Sequence, residues 1–138
     1  MPSAVDTNVL VRFLVDDGSN HVAPTRKLFA AEMIFVPTTV ILETEWVLRS
    51  NFNYPRNLIC DAFDRLLGLQ SVLVEDADLV ADAIDAHRKG LDFADALHLF
   101  ASTECDRLYT FDAPLIRKAN QAGGPIPVNR PGSANLTS

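Results

Sequence analysis

The sequence predicts a three-layer α/β/α domain around a central, mostly parallel sheet of four to five strands. Three observations lead there. Short strand-like words (Ser3-Ala4-Val5, Met33-Ile34-Phe35-Val36, Val72-Leu73-Val74 and Arg107-Leu108-Tyr109-Thr110) alternate with stretches of helical period. That order builds a parallel sheet covered by helices. The run Met33–Val36 is continuously apolar and is stopped by Pro37, as a strand buried on both faces would be. Helix starts and stops are also written at the expected places, notably Pro55 and Gly68 around one apolar stripe.

Element by element, Asp6-Thr7-Asn8 ends the first strand, and Val9, Leu10, Phe13 and Leu14 follow at helical spacing. Residues 22–32 form a second helix through Ala23, Leu28, Phe29 and Ala31. After Pro37, Thr38 or Thr39 can cap a helix carrying Val40, Ile41, Val47 and Leu48. Residues 55–68 place Ile59, Ala62, Phe63, Leu66 and Leu67 on one face. In 76–89, Asp76 and Asp78 open a helix and His87, Arg88 and Lys89 close it, an order that suits the helix dipole, with Gly90 beyond. A helix over about 93–104 precedes the Arg107–Thr110 strand, and a short helix starts at Pro114. Ile126-Pro127-Val128 reads as an edge strand, where proline is tolerated. One domain over 1–130 is expected, with a disordered polar tail at 131–138.

At 138 residues with 48% apolar content, one core is the simplest organisation. No apolar run is long enough to span a bilayer, and the first residues lack a basic region followed by an apolar one, so a cytoplasmic location is expected. Cys60 and Cys105 have no C-x-x-C spacing and read as reduced, mostly buried thiols. The net charge of −6 argues against broad nonspecific binding to nucleic acid. A bound cation, which inverts the local field, keeps a nucleic-acid substrate open.

Four acids stand out by position: Asp6, Glu43, Asp95 and Asp112. Asp6 and Asp112 end strands; Glu43 and Asp95 lie in the opening turns of helices that start at the same sheet edge, where open α/β sheets bind ligands. Glu43, three after Val40 and four before Val47, falls on the apolar stripe, whereas Glu45 faces elsewhere. Two carboxylates about 5 Å apart repel by roughly 3 kcal/mol at an effective dielectric near 20. Four together approach 10–20 kcal/mol, on the order of a domain's whole stability. Such a cluster binds a cation, takes up protons, or does not form. Oxygen donors alone favour Mg²⁺ or Mn²⁺ over zinc. Plainer roles stand beside this one: Asp6 as a turn residue, Asp112 as cap of the Pro114 helix, and Asp92 as cap of the helix holding Asp95.

The words around these acids resemble the PIN-domain ribonucleases, specifically the VapC-type toxins of toxin–antitoxin pairs. Asp6-Thr7-Asn8-Val9-Leu10 resembles the first motif, and Leu42-Glu43-Thr44-Glu45-Trp46-Val47-Leu48 the second. Asp92-Phe93-Ala94-Asp95-Ala96-Leu97 and Cys105–Asp112 resemble the third and fourth, all in order between residues 3 and 128. The resemblance implies a PIN-like fold with Asp6, Glu43, Asp95 and Asp112 as the Mg²⁺ quartet, Asp6 and Asp95 foremost. It implies that Asn8 and Thr110 orient the carboxylates or a water, and that Asp92 is a fifth, outer acid. One departure is Ala113-Pro114, where the family often has a basic residue after the last acid. The implied activity is endonucleolytic hydrolysis of RNA through a metal-activated water, leaving a 5′-phosphate and a 3′-hydroxyl. A homodimer is implied too, as is a cognate antitoxin whose C-terminal segment covers the acidic groove, with an Arg among the carboxylates.

Two other functions compete. One is a catalytically silent PIN-like binding module. The other is a Mg²⁺-dependent phosphatase-like or receiver-like domain, which lacks its Asp-x-Asp-x-Thr word after the first strand. Among the remaining residues, His98 and His87 are expected to pack within their helices. Trp46 and the phenylalanines at 13, 29, 52 and 63 are expected in the core or a dimer contact. Arg12, Arg49, Arg56, Arg117 and Lys118 are candidate cations for phosphate.

Overall fold

Five short strands and seven helices make up residues 1–132, which the computed structural model describes. The order is β1 (Ser3–Ala4), α1 (Thr7–Leu14), α2 (Val22–Ala31), β2 (Ile34–Val36), α3 (Thr38–Ser50) and α4 (Arg56–Leu67), then β3 (Val72–Val74), α5 (Ala77–Arg88), α6 (Phe93–Ala101), β4 (Leu108–Tyr109), α7 (Ala113–Gln121) and β5 (Val128–Asn129). Every strand pairing is parallel. β2 is central between β1 and β3, with Ser3 opposite Ile34 and Ile34 opposite Val72. β4 pairs with β5, Tyr109 opposite Asn129. The expected single sheet therefore divides into a three-stranded and a two-stranded hydrogen-bonded group. Strand number and parallel sense are legible in the sequence; this division turns on a few backbone bonds between two-residue strands.

The core follows the predicted periodicities. Ile34 and Val36 are wholly buried, as the apolar run before Pro37 requires. Ile59, Phe63 and Leu66 of α4 are buried against neighbours that include Phe93 of α6, whose ring centre is 5.7 Å from that of Phe63. Phe13 and Phe29 stack with ring centres 3.8 Å apart and join α1 to α2. Truncating a residue such as Phe63 to Ala removes about 3–5 kcal/mol, a large share of a domain's stability. Gly90 ends α5 at φ +119°, a backbone region that L side chains avoid.

Several expectations change. α3 begins at Thr38, and neither threonine hydroxyl caps it: the Thr38 amide donates to Glu75 Oε1 at 2.8 Å, a carboxylate brought in from the end of β3. α6 stops at Ala101 rather than 104; the Ser102 hydroxyl bonds back to the His98 carbonyl at 2.7 Å where the helix turns away. Trp46 is 55% exposed and so is not a core residue. Cys60 is buried, but Cys105 is exposed. His87 is buried as expected, whereas His98 is exposed.

The largest correction concerns α3. Its buried face is Val40, Ile41, Thr44, Glu45 and Leu48, so Glu45 is inside at 2% exposure and Glu43 is outside. The phase expected from Val40 and Val47 does not hold, because Val47 lies at the margin of the buried face. Pro131 and Gly132 form a turn, and the predicted tail from residue 133 onward lies outside the described residues. No helix among the described residues is long and apolar enough to cross a membrane.

Candidate active site

Three of the acids sit at helix N-termini, where unpaired amides and the helix dipole favour negative charge. Asp6 follows the first strand segment and caps α1, its Oδ1 accepting from the Val9 amide at 3.0 Å. Asp92 caps α6, its Oδ2 accepting from the Asp95 amide at 3.2 Å. Asp112 caps α7, its Oδ1 accepting from the Leu115 amide at 3.0 Å. The capping roles are therefore real, and they do not compete with a site. Each cap occupies one carboxylate oxygen, fixes the side-chain direction and leaves a second oxygen. A favourable dipole at each terminus also offsets some of the mutual repulsion, by about 0.3–1 kcal/mol apiece.

Asp95, in the first turn of α6, is where the charges meet. Its carboxyl is held above the usual carboxylate range, first by burial and then by the negative charges of Asp92 and Asp112; exposed His98, farther along the helix, works in the opposite direction. Asp95 thus feels the charges of both Asp92 and Asp112. Glu43 makes a different contact, with α1. Its Oε1 accepts from the Thr7 hydroxyl at 2.8 Å, tying α3 to the residue after Asp6.

Thr7 joins the residues expected from the sequence. The signal was present in the Asp6-Thr7-Asn8 word, but its partner lies 36 residues away and is visible only in three dimensions. Thr110 acts on the backbone, its Oγ1 accepting from the Asp112 amide at 3.1 Å. Asn8 lines a cavity of about 280 Å³ together with Arg12, His21 and Thr25. A larger cavity of about 340 Å³, bordered by Lys89, Leu99, Phe100 and Lys118, contains none of these acids.

Behind the site, buried Glu45 receives Arg49 through two contacts, Nε to Oε2 at 2.8 Å and a second guanidinium nitrogen to Oε1 at 3.4 Å. His87 faces the same carboxylate with Nε2 3.8 Å from Oε2, while its Nδ1 is 2.7 Å from the Leu91 carbonyl. A carbonyl only accepts, so Nδ1 carries the proton. The guanidinium of Arg49 is held in its charged form chiefly by the hydrogen bond to Glu45, with a smaller contribution from Asp92.

Whether these residues suit a divalent cation depends on donor type, charge and spacing. The donors are hard oxygens, and the charge on Asp95, Asp92 and Asp112 is in excess. Among the described residues, no three Asp, Glu, His or Cys side chains stand close enough to hold one ion. Mg²⁺ commonly uses one or two carboxylates and keeps several waters, so a preassembled cage is not required. The residues fit the cation in chemistry and charge.

The chain is an α/β domain with parallel strands and with acids capping α1, α6 and α7. The PIN-domain family matches residues 4–120, and the chain belongs to it. PIN domains are generally metal-dependent nucleases acting on nucleic acid. No curated protein and no solved structure matches the chain.

The Thr7–Glu43 bond leads to a first prediction. Thr7→Val removes the donor and keeps the shape, so the nuclease rate falls about tenfold, the equivalent of roughly 1.4 kcal/mol of positioning. Unfolding stability changes by less than about 1 kcal/mol, since the bond is exposed. Cleavage rates alongside denaturant titration check both numbers; equal rates in the two proteins would deny Thr7 this role.

Proposed function

We propose that this chain is a Mg²⁺-dependent endoribonuclease, with Mn²⁺ able to substitute, acting in the cytoplasm as the toxin of a type II toxin–antitoxin pair. The observation that carries the reading is the crowding of Asp92 and Asp112 upon partly buried Asp95, a charge arrangement that a divalent cation relieves. Asp6 and Asp95 would hold the cation, with Asp112 and Glu43 completing the acidic set. Bound there, a divalent cation would supply Lewis-acid chemistry: a more acidic water and compensation of the negative charge on the phosphate.

The chain's own residues do the rest. Glu43, steadied at Oε1 by Thr7, keeps Oε2 available to accept a proton from the attacking water. Asp6 and Asp112 are held in place by their capping bonds. By the motif resemblance, Asp92 would be an outer acid, and Asn8 and Thr110 would orient the carboxylates or a water. The toxin role, a homodimer and an antitoxin that places an Arg among the acids rest on the motif resemblance. The negative charge around Asp95 suits such an Arg, which would compete with the cation for the same carboxylates.

The silent binding module has one observation in its favour, the absence among the described residues of three acids within reach of a single ion. Incubating the purified chain with total RNA separates the two. The nuclease reading expects cleavage with Mg²⁺, none with EDTA, and product ends bearing a 5′-phosphate and a 3′-hydroxyl. Intact RNA at all Mg²⁺ and Mn²⁺ concentrations leaves the binding module.

A further inference from the structure

Large aromatic side chains are mostly packed in this chain, and Tyr109 and Phe111 are exceptions. They are 48% and 67% exposed, on the segment that leads from β4 into Asp112. Leaving a Phe in water forgoes roughly 2 kcal/mol of burial. The neighbouring β5 runs alongside, with the Thr110 amide donating to the Asn129 carbonyl at 3.0 Å, and delivers Arg130 next to Phe111. The guanidinium carbon of Arg130 is 5.1 Å from the centre of the Phe111 ring. A cation over an aromatic face is thus held at the end of two parallel strands, one residue from an acid of the site.

We propose that Phe111 and Arg130 form a stacking platform for an unpaired RNA base, with Arg130 also contacting the adjoining phosphate. This deepens the nuclease reading and rests on it for the identity of the substrate. Three features favour a nucleobase over other occupants. Every base has a π-face that stacks on an aromatic ring without regard to sequence. A guanidinium both stacks and binds phosphate. Arg130, beside the ring that precedes Asp112, gives the RNA backbone a favourable point of entry next to that acid. Bases paired in a duplex offer no free face, so the platform selects unpaired RNA.

Two measurements test this separately from catalysis. In EDTA at low salt, binding of a labelled mixed-sequence RNA is followed by anisotropy, single-stranded and as a duplex. The wild type is expected to prefer the single strand, and Phe111→Ala to weaken that binding by roughly ten- to hundredfold, the effect of losing one stacked base. Phe111→Trp restores it. Arg130→Gln weakens binding and reduces the salt slope by about one unit, which Phe111→Ala does not. Thermal melting controls for folding, and the exposure of Phe111 predicts an unchanged midpoint. In parallel, Mg²⁺-dependent cleavage by Phe111→Ala is expected to show a raised KM with kcat near wild type.

Equal single-strand affinity of Phe111→Ala and wild type overturns the platform, as does wild-type binding to duplex as tight as to single strand. So does a Phe111→Ala effect confined to self-association, which would make the ring a protein contact. Cleavage by the wild type with no effect of Phe111→Ala rejects the platform and keeps the nuclease. Single-strand binding with no cleavage rejects the nuclease and keeps the platform.

Discussion

Asp95→Asn is expected to abolish RNA cleavage while making the metal-free protein more stable. The loss of activity should exceed about a thousandfold, or roughly 4 kcal/mol of transition-state stabilisation, because the central oxygen donor of the acidic group is gone. The gain in stability comes from the same charge. The folded-state value of the Asp95 carboxyl lies above its unfolded one, so the native chain holds the proton to higher pH. The resulting destabilisation is absent below the unfolded value, grows as pH rises toward the folded value and is complete above it. At neutral pH and without divalent ions, removing the charge should therefore stabilise the fold by about 1 kcal/mol, the scale of a screened like-charge contact. The α6 cap is unaffected, since Asp92 accepts from the backbone amide of residue 95. Denaturant unfolding in EDTA across pH checks the sign. Lower stability of the variant at neutral pH would mean that Asp95 serves the fold rather than a cation.

Arg49→Met should produce the largest loss of stability among single charge removals in the described residues, about 3 kcal/mol or roughly 10 °C in Tm. Glu45 is 2% exposed, and without Arg49 its carboxylate has only His87 Nε2 nearby, at a distance beyond hydrogen bonding. An uncompensated buried charge is what makes breaking such a pair expensive. The outer half of Arg49 is in solvent, which keeps the expected loss at the low end of the buried-pair range. Replacing both partners, as Glu45→Leu with Arg49→Met, should recover much of the loss, because two apolar groups leave nothing unpaired. Arg88 provides the contrast. It reaches Asp61 at 3.0 Å and Asp64 at 2.7 Å, yet both acids are exposed to solvent, so no buried charge is left unpaired and Arg88→Met should lose far less than Arg49→Met. Comparable losses for Arg49→Met and Arg88→Met would contradict the account of the buried acid.

These two cases show what the sequence could and could not carry. Asp6, Asp92 and Asp112 are legible because helix starts are written locally: an acid, then residues at helical period. Their capping bonds span only three residues, so the plain reading and the functional one use the same local signal. Glu43 and Glu45 were assigned to the wrong sides because the phase of a helix is set by what packs against it. One clue was available, the four-residue spacing of Glu45 and Arg49. The other partner, His87, lies on α5, and no local pattern connects it to α3. Thr38 failed as a cap for a similar reason, since Glu75 supplies the acceptor from 37 residues away. The exposure of Trp46 and Phe111 was likewise invisible to composition, which counts apolar residues without regard to whether a neighbour covers them.

On the proposed function, the helix-capping acids and Asp95 together bind a divalent cation. Titrating Mn²⁺ into the purified protein and its Asp95→Asn variant, with binding followed by calorimetry, tests it most directly. The account predicts saturable binding by the wild type and a thermal stabilisation of about 2.7 kcal/mol at roughly 100 times Kd, both lost in Asp95→Asn. Identical isotherms for the two proteins, or no binding by either, would contradict it.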